Sequence, residues 1–133
     1  MKTKNECYTY FRISGDFDPD TISEMLGILP DRSWKIGDSR NDGSTYDFSS
    51  WSCGRCDEYD LDTGNQMRKT ISVLSDKIDV LNSIRKEFDV IFVLEVVPTI
   101  YVNDIKPALA PPLDVIDFCH ATRTELDIDY YII

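Results

Sequence analysis

The chain has 133 residues and a mass of 15.3 kDa, 42% of them hydrophobic and 29% charged, which predicts one globular domain over residues 1–133. Twenty-four acidic and 14 basic residues give a net charge of −10. This balance argues against nucleic acid and against anionic membranes as partners, because both need a clustered cationic surface. It leaves a basic protein as a candidate partner.

The first predicted elements are a strand and a short helix. Residues 7–14 alternate between apolar and other side chains, which is the period of a half-buried strand. Asp18 and Pro19 then open a helix, with Asp18 as its N-cap, and a capping box of Thr21 and Glu24 is the competing start. Gly27 or Pro30 ends this helix. The next segment, residues 31–66, is less regular.

Within that segment, a turn signal at Asn41-Asp42-Gly43-Ser44 predicts a hairpin from about residue 33 to about residue 53. Residues 33–36 form its weaker strand and residues 49–53 its stronger one.

A single long amphipathic helix is predicted over residues 67–88. Apolar side chains recur there at spacings of four and three: Met67, Ile71, Leu74, Ile78, Leu81, Ile84 and Phe88. A continuous helix of this length would span about 33 Å and cross a whole sheet.

The rest of the chain predicts a strand, a helix and a terminal strand. Residues 90–97 form an apolar, β-branched run typical of a central strand, with Pro98 at its end or, as the alternative, with an extension over residues 99–102 beyond the proline. A helix follows over residues 112–123, and residues 126–132 alternate again. The predicted fold is therefore α+β: a ferredoxin-like β-α-β-β-α-β sheet with helices on one face, plus a C-terminal α-β extension.

Two cysteines, Cys53 and Cys56, are the only candidates for metal or redox chemistry. A zinc site normally needs a second ligand pair, and the sequence offers only the adjacent Cys119-His120. The carboxylates of Asp57-Glu58 oppose a reactive thiolate beside Cys56. We therefore predict no cofactor and no metal site, with Cys53 and Cys56 as weak zinc candidates.

No catalytic constellation is apparent. His120 is the only histidine, and neither a phosphate-binding loop nor a nucleophile motif occurs. The sequence also lacks a signal peptide, and its longest apolar run, residues 90–94, is far shorter than the ~20 residues of a membrane span. We expect a cytoplasmic protein with reduced cysteines.

Five residues are candidates for an interface or a pocket. Trp34 and Trp51 lie in the irregular middle of the chain and either fill the core or anchor a ligand, with Asp38 beside them. Asp127 and Asp129 lie on the terminal strand, where they would discourage pairing with a second copy. They also belong to the last 45 residues, whose local charge is −6.

Several sequence blocks together carry a family resemblance: Phe11-Arg12-Ile13-Ser14-Gly15, Pro19, residues 22–30, Trp34-Lys35-Ile36-Gly37-Asp38, Ser49-Ser50-Trp51 and residues 126–131. In this order and spacing they resemble the bacterial domain-of-unknown-function 4279 family. The resemblance implies a small bacterial α+β protein with no assigned activity, cofactor or catalytic residue.

Two functional hypotheses follow. The first is a non-catalytic protein-binding module, including an immunity-type antitoxin that neutralises a basic partner. The alternative is a small-molecule-binding or enzymatic domain with a pocket between the sheet and the 31–66 segment, lined by Trp34, Asp38 and Trp51. The sequence predicts no oligomeric state.

Overall fold

A computed structural model describes residues 4–133, and in that range four helices lie with a six-stranded mixed sheet. The elements in chain order are β1 (Glu6–Gly15), α1 (Pro19–Leu26), β2 (Arg32–Trp34), β3 (Ser49–Cys56), α2 (Thr63–Ser72), α3 (Ile78–Glu87), β4 (Val90–Ile100), α4 (Leu113–Thr122), β5 (Glu125–Ile128) and β6 (Tyr131–Ile132). None of the helices in this range is long and apolar enough to cross a membrane.

The strands are ordered β2-β3-β1-β4-β5, and β6 also pairs with β4. The pairs β2–β3, β3–β1 and β1–β4 are antiparallel, whereas β5 and β6 run parallel to β4. The α+β class and the added C-terminal helix and strand are confirmed. The exact ferredoxin-like topology stays a prediction.

The core lies between one face of this sheet and the helices. On β1, Cys7, Phe11 and Ile13 are buried in it, and the intervening side chains of Tyr8 and Tyr10 are only half-buried on the opposite face. This alternation is the one that the sequence predicts for β1. One face of the sheet therefore packs against the helices, and the other carries polar and aromatic side chains on β1 and β3 and the aliphatic side chains of Ile91, Val93 and Val97 on β4.

The first helix begins after Asp18 and ends before Gly27, and not at the alternative start at Thr21 or the alternative end at Pro30. The Asp18 carboxylate accepts a hydrogen bond from the Asp20 backbone N–H at 3.0 Å, with Pro19 at the first helical position. Gly27 adopts a left-handed conformation after the last turn, with φ of 67°. A side-chain cap and a glycine stop thus fix α1 from local sequence alone.

The prediction of one helix over residues 67–88 is wrong, because two helices of ten residues each, α2 and α3, occupy this region. The hydroxyl groups of Ser72 and Ser75 donate to the carbonyl oxygens of Lys69 and Ser72, where they compete with the helical backbone bonds. The apolar stripe continues across the break, because Leu74 is fully buried between the two helices. The periodicity therefore predicts the buried side but not the interruption.

The central strand β4 continues through Pro98 to Ile100, so the structure has the extension past the proline and not a strand end at Pro98. The carbonyl oxygens of Val96 and Ile100 accept hydrogen bonds from the backbone N–H groups of Asp129 and Ile133. Because every second residue of a strand faces the same neighbour, the backbone of Pro98 also faces this segment of the chain. Proline has no N–H to donate there. The single terminal strand predicted over residues 126–132 is accordingly divided into β5 and β6, with the break opposite Pro98.

Candidate functional site

The face of the sheet opposite the helices contains a trough along β3. Ser50 lies between Trp34 on β2 and Ser14 on β1, and Ser52 lies between Arg32 on β2 and Arg12 on β1. The small serine side chains form a floor between larger neighbours. They leave a cavity of about 340 Å³, lined by Tyr8, Tyr10, Arg12, Asp31, Arg32, Trp34, Ser50, Ser52 and Arg55.

One wall of the trough is an aromatic cluster around Trp34. The ring of Trp34 stacks on Tyr46 with centroids 4.4 Å apart, and Phe48 meets it edge-on at 5.6 Å. The Trp34 indole N–H donates to the Phe48 carbonyl oxygen at 3.0 Å. These contacts fix the orientation of Trp34 at the cavity wall.

A β-bulge in β3 places Arg55 at the end of the trough. Thr9 and Phe11 of β1 pair with Cys56 and Cys53 of β3. The β3 segment between these two pairs therefore has one more residue than the β1 segment. Gly54 takes a φ of 69° here, and a Cβ on it would lie 2.6 Å from the Thr70 carbonyl oxygen. Only glycine fits this position without displacing backbone, so the bulge depends on Gly54.

The guanidinium groups of Arg55 and Arg32 lie over aromatic rings. Arg55 is 4.1 Å from the ring centroid of Tyr8, and Arg32 is 5.0 Å from that of Trp34. The backbone N–H of Arg55 donates to the Asp31 carboxylate at 2.9 Å. Contact with a ring face holds a guanidinium in place. Its N–H groups lie in the plane of the guanidinium itself and point outward from its edge.

Arg12 connects the cavity to a pair of carboxyl groups. Its Nε lies 3.0 Å from Glu95 Oε1, and another of its nitrogens donates to the Ser14 hydroxyl at 2.7 Å. Asp127 on β5 is the neighbour of Glu95 in the ladder. Burial, and next the hydrogen bond to Asp127, raise the pKa of Glu95 to about 7, although Arg12 opposes this rise.

A family model described as "Domain of unknown function (DUF4279)" matches residues 5–133, which is nearly the whole chain. The chain belongs to this family. The match confirms the resemblance seen in the sequence blocks. No curated protein and no solved structure compared with the chain matches it.

The two tryptophans of this DUF4279 member have different roles. Trp34 lines the cavity on the open face of the sheet. Trp51 is 0% exposed, and its indole N–H donates to the Ser23 hydroxyl at 2.9 Å on the helix side of the sheet. The expectation that Trp51 lines the pocket is therefore corrected: its position in β3 directs it into the core.

The three predicted aspartates also lie apart. Asp38 closes a turn, where its carboxylate accepts from the Lys35 backbone N–H at 2.8 Å, and it is not among the cavity-lining residues. Asp127 neighbours Glu95 on β4. Asp129 accepts a long hydrogen bond from the Tyr131 hydroxyl at 3.4 Å. Of the five predicted residues, only Trp34 thus borders the cavity.

The weak zinc candidates lie on the core side of β3. Burial raises the pKa of Cys53 to about 12 and that of Cys7 on β1 to about 11, so both thiols stay protonated at neutral pH. Cys56 is half-buried. Across residues 4–133, no three His, Cys, Asp or Glu side chains lie together in an arrangement that could hold a metal ion.

Most of the cavity residues were missed from the sequence. The available signal was the polar side of the first strand, which carries Tyr8, Tyr10 and Arg12 in place of small solvated residues. A second signal was the pair of serines, Ser50 and Ser52, that alternates with buried residues on β3. Their meaning depends on the register of three strands.

Proposed function

We propose that this protein is a non-catalytic binding protein and that its small-molecule ligand occupies the cavity on the open face of the sheet. The observation that carries this proposal is the trough itself, a cavity of about 340 Å³ with serines as its floor and aromatic and arginine side chains as its walls. Ligand pockets commonly enclose about 300–1,000 Å³ and combine aromatic walls with a few polar groups.

The residues around the cavity support binding rather than catalysis. They include no histidine, cysteine or lysine that could act as a nucleophile or as a base near neutral pH. Burial, and next the charge of Glu95, raise the pKa of Tyr10, which keeps its hydroxyl protonated. The only histidine, His120, lies on α4 and borders a different groove.

Tryptophan fluorescence tests this function. Trp34 lies at the cavity and Trp51 is buried, so a bound ligand should change the emission of Trp34 and leave that of Trp51 nearly constant. We expect a metabolite panel to contain compounds that change the emission and raise the melting temperature. The change in emission should be lost in the Trp34→Phe variant. The rise in melting temperature should be lost in a variant whose trough is filled.

Ser52→Leu is that trough-filling variant, and Ser83→Leu on the exposed surface of α3 is its matched control. Binding should be lost in Ser52→Leu and kept in Ser83→Leu. Equal binding by the two variants, or no response to any compound in the panel, would refute the proposed function.

Association with a basic protein, including a toxin of the immunity type, is a second proposal, and the net charge of −10 supports it. Five exposed carboxylates add to this support. Three lie in the β3–α2 connection and two lie on α4: Asp57, Asp60, Asp62, Asp114 and Asp117. Co-purification with the products of adjacent genes tests it. A basic product that binds at low salt and is released at high salt is expected, and binding by none of the basic products would exclude this role.

We further propose a bacterial, cytoplasmic setting. The four cysteines, which are all free, support a reducing compartment. Fractionation of the native host is the direct measurement. Recovery of the protein with secreted or periplasmic material would overturn this location.

A further inference from the structure

Arginines are concentrated at the cavity of an otherwise acidic protein. Three of the seven arginines in the chain, Arg12, Arg32 and Arg55, line it, together with a single carboxylate, that of Asp31. The chain as a whole carries a net charge of −10. The charge of this cavity is therefore opposite in sign to that of the molecule.

Two of these arginines have no acidic partner. Arg12 is paired with Glu95, but no carboxylate oxygen in residues 4–133 lies within 4.0 Å of a side-chain nitrogen of Arg32 or Arg55. Asp31 lies beside them and binds the backbone N–H of Arg55. Both guanidinium groups are held by aromatic rings, an arrangement that leaves their N–H donors available.

The floor and walls add complementary groups. The Ser52 hydroxyl donates to the Arg32 carbonyl oxygen at 3.2 Å, and no residue in the described range hydrogen-bonds to the Ser50 hydroxyl, although Ser50 is only 5% exposed. Tyr10 on β1 and Trp34 on β2 border the cavity on either side of these serines, and the Trp34 ring is itself covered by Tyr46 and Arg32. A ligand that fits is compact and carries an acidic group.

We infer that the ligand of this cavity is a small organic anion whose carboxylate or phosphate group is bound by Arg32 and Arg55, with its body over the serine floor. This inference rests on the proposed function and adds the chemical class of the ligand. Arginine is suited to both anionic groups, because its parallel N–H donors match the spacing of two oxygens. The carboxylate and the phosphate are the two arms of the test.

The test uses four probes on the full chain: benzoate and phenyl phosphate as anions, with benzamide and benzyl alcohol as neutral analogues. Dissociation constants come from NMR titration of ¹⁵N-labelled protein, which also locates the binding site by the resonances of the cavity residues. We expect at least one anion to bind about tenfold or more tightly than its neutral analogue, with shifts confined to the trough.

Arg32→Gln and Arg55→Gln remove one cationic group each and keep a polar side chain of similar reach. Arg68→Gln is the matched control, because Arg68 lies on α2 on the helix side of the sheet. We expect each cavity variant to weaken anion binding about tenfold and to leave neutral-probe binding unchanged. The control should bind as the wild type does, and melting temperatures verify that all three variants are folded.

The outcomes separate the two levels of the proposal. If neutral analogues bind in the trough as tightly as the anions, or if the cavity variants bind anions as the control does, the anionic ligand class is wrong and the binding function stands. If neither charged nor neutral probes, nor any compound of the metabolite panel, shift the cavity resonances, both proposals fail. Preference for phenyl phosphate over benzoate, or the reverse, assigns the anionic group.

Discussion

The position of Glu95 makes the stability of the protein depend on pH. Its side chain is 8% exposed and lies between Arg12 and Asp127. The pKa of Glu95 is raised from 4.5 to about 7 in the folded state, so the folded protein holds this proton more tightly than the unfolded chain does. The resulting stabilisation is complete below about pH 4.5 and is lost as the pH rises through about 7.

A Glu95→Gln variant measures this effect, because glutamine cannot titrate. We expect the free energy of unfolding of the wild type, relative to the variant, to fall by about 2 kcal/mol between pH 4.5 and pH 7.5. Urea unfolding at several pH values gives this difference. In an Asp127→Asn background the fall should move to lower pH, since the second carboxylate that raises the pKa is gone; a constant difference at all pH values would contradict the assignment.

The two tryptophans differ in what their removal should do. Trp51 is fully buried and bonded to Ser23, so Trp51→Ala leaves a large cavity and an unpaired hydroxyl. We expect a loss of about 4 kcal/mol in the free energy of unfolding. Trp34→Ala should cost only about 1 kcal/mol because Trp34 is half-exposed, and denaturant unfolding of the pair compares them directly. Equal losses would contradict the assignment of Trp51 to the core.

The bulge in β3 links the stability of an element to the shape of the site. Gly54→Ala brings a Cβ within 2.6 Å of the Thr70 carbonyl oxygen at a φ of 69°, whereas Gly43, at a φ of 86°, has no atom within 4 Å of such a Cβ. We expect Gly54→Ala to lower the free energy of unfolding by about 3 kcal/mol and Gly43→Ala by about 1 kcal/mol.

The same substitution should disturb ligand binding. Loss of the bulge shifts Arg55 off the open face, so Gly54→Ala is expected to weaken binding of an anionic probe while Gly43→Ala leaves it unchanged. Thermal unfolding and the NMR titration provide the two measurements. A folded Gly54→Ala variant with wild-type affinity would show that the bulge does not position Arg55.

Elements with strong local signals were predicted well from the sequence. The N-cap Asp18, the glycine stop after α1 and the alternation along β1 each act within a few residues, so they are readable without the fold. The break after α2 was missed because the apolar stripe runs through it and only exposed serines mark it. The continuation of β4 past Pro98 was only an alternative from the sequence, because it depends on which neighbour faces the proline.

The candidate site was less predictable than the elements, for a related reason. Trp34 was identified by its type, but the trough exists only because Ser50 and Ser52 fall between larger residues on two other strands. Arg55 reaches the open face only through the bulge at Gly54. Both features depend on pairing between distant segments, which a single sequence does not specify.

On the scale of the whole molecule, the protein combines an acidic surface with an arginine-rich cavity. The carboxylates of residues 89–133 are spread over the molecule: Glu95 is on the open face, and Asp114 pairs with Arg68 on the helix side at 3.0 Å. The net charge of −10 therefore produces a long-range electrostatic field around the molecule, whereas the cavity arginines attract an anion only at short range.

This separation predicts opposite salt effects for the two proposed partners. Salt screens the repulsion between the molecule and a small anion, so the association rate of an anionic probe should rise about twofold or more between 20 and 300 mM salt. The association rate of a basic protein should fall over the same range. Stopped-flow fluorescence of Trp34 measures the first rate; a decrease for the anion would contradict the idea that the whole-molecule charge opposes its approach.

Because side chains alternate along β3, the residues that set the size of the trough are different from those that form the core. Trp51 and Cys53 lie in the core, and their neighbours Ser50 and Ser52 lie under the trough, on the same short strand. Replacing a serine by a larger residue therefore makes the trough shallower without enlarging or opening the core. The two side-chain rows of this one strand thus allow the volume of the trough to change by substitution while the fold is kept.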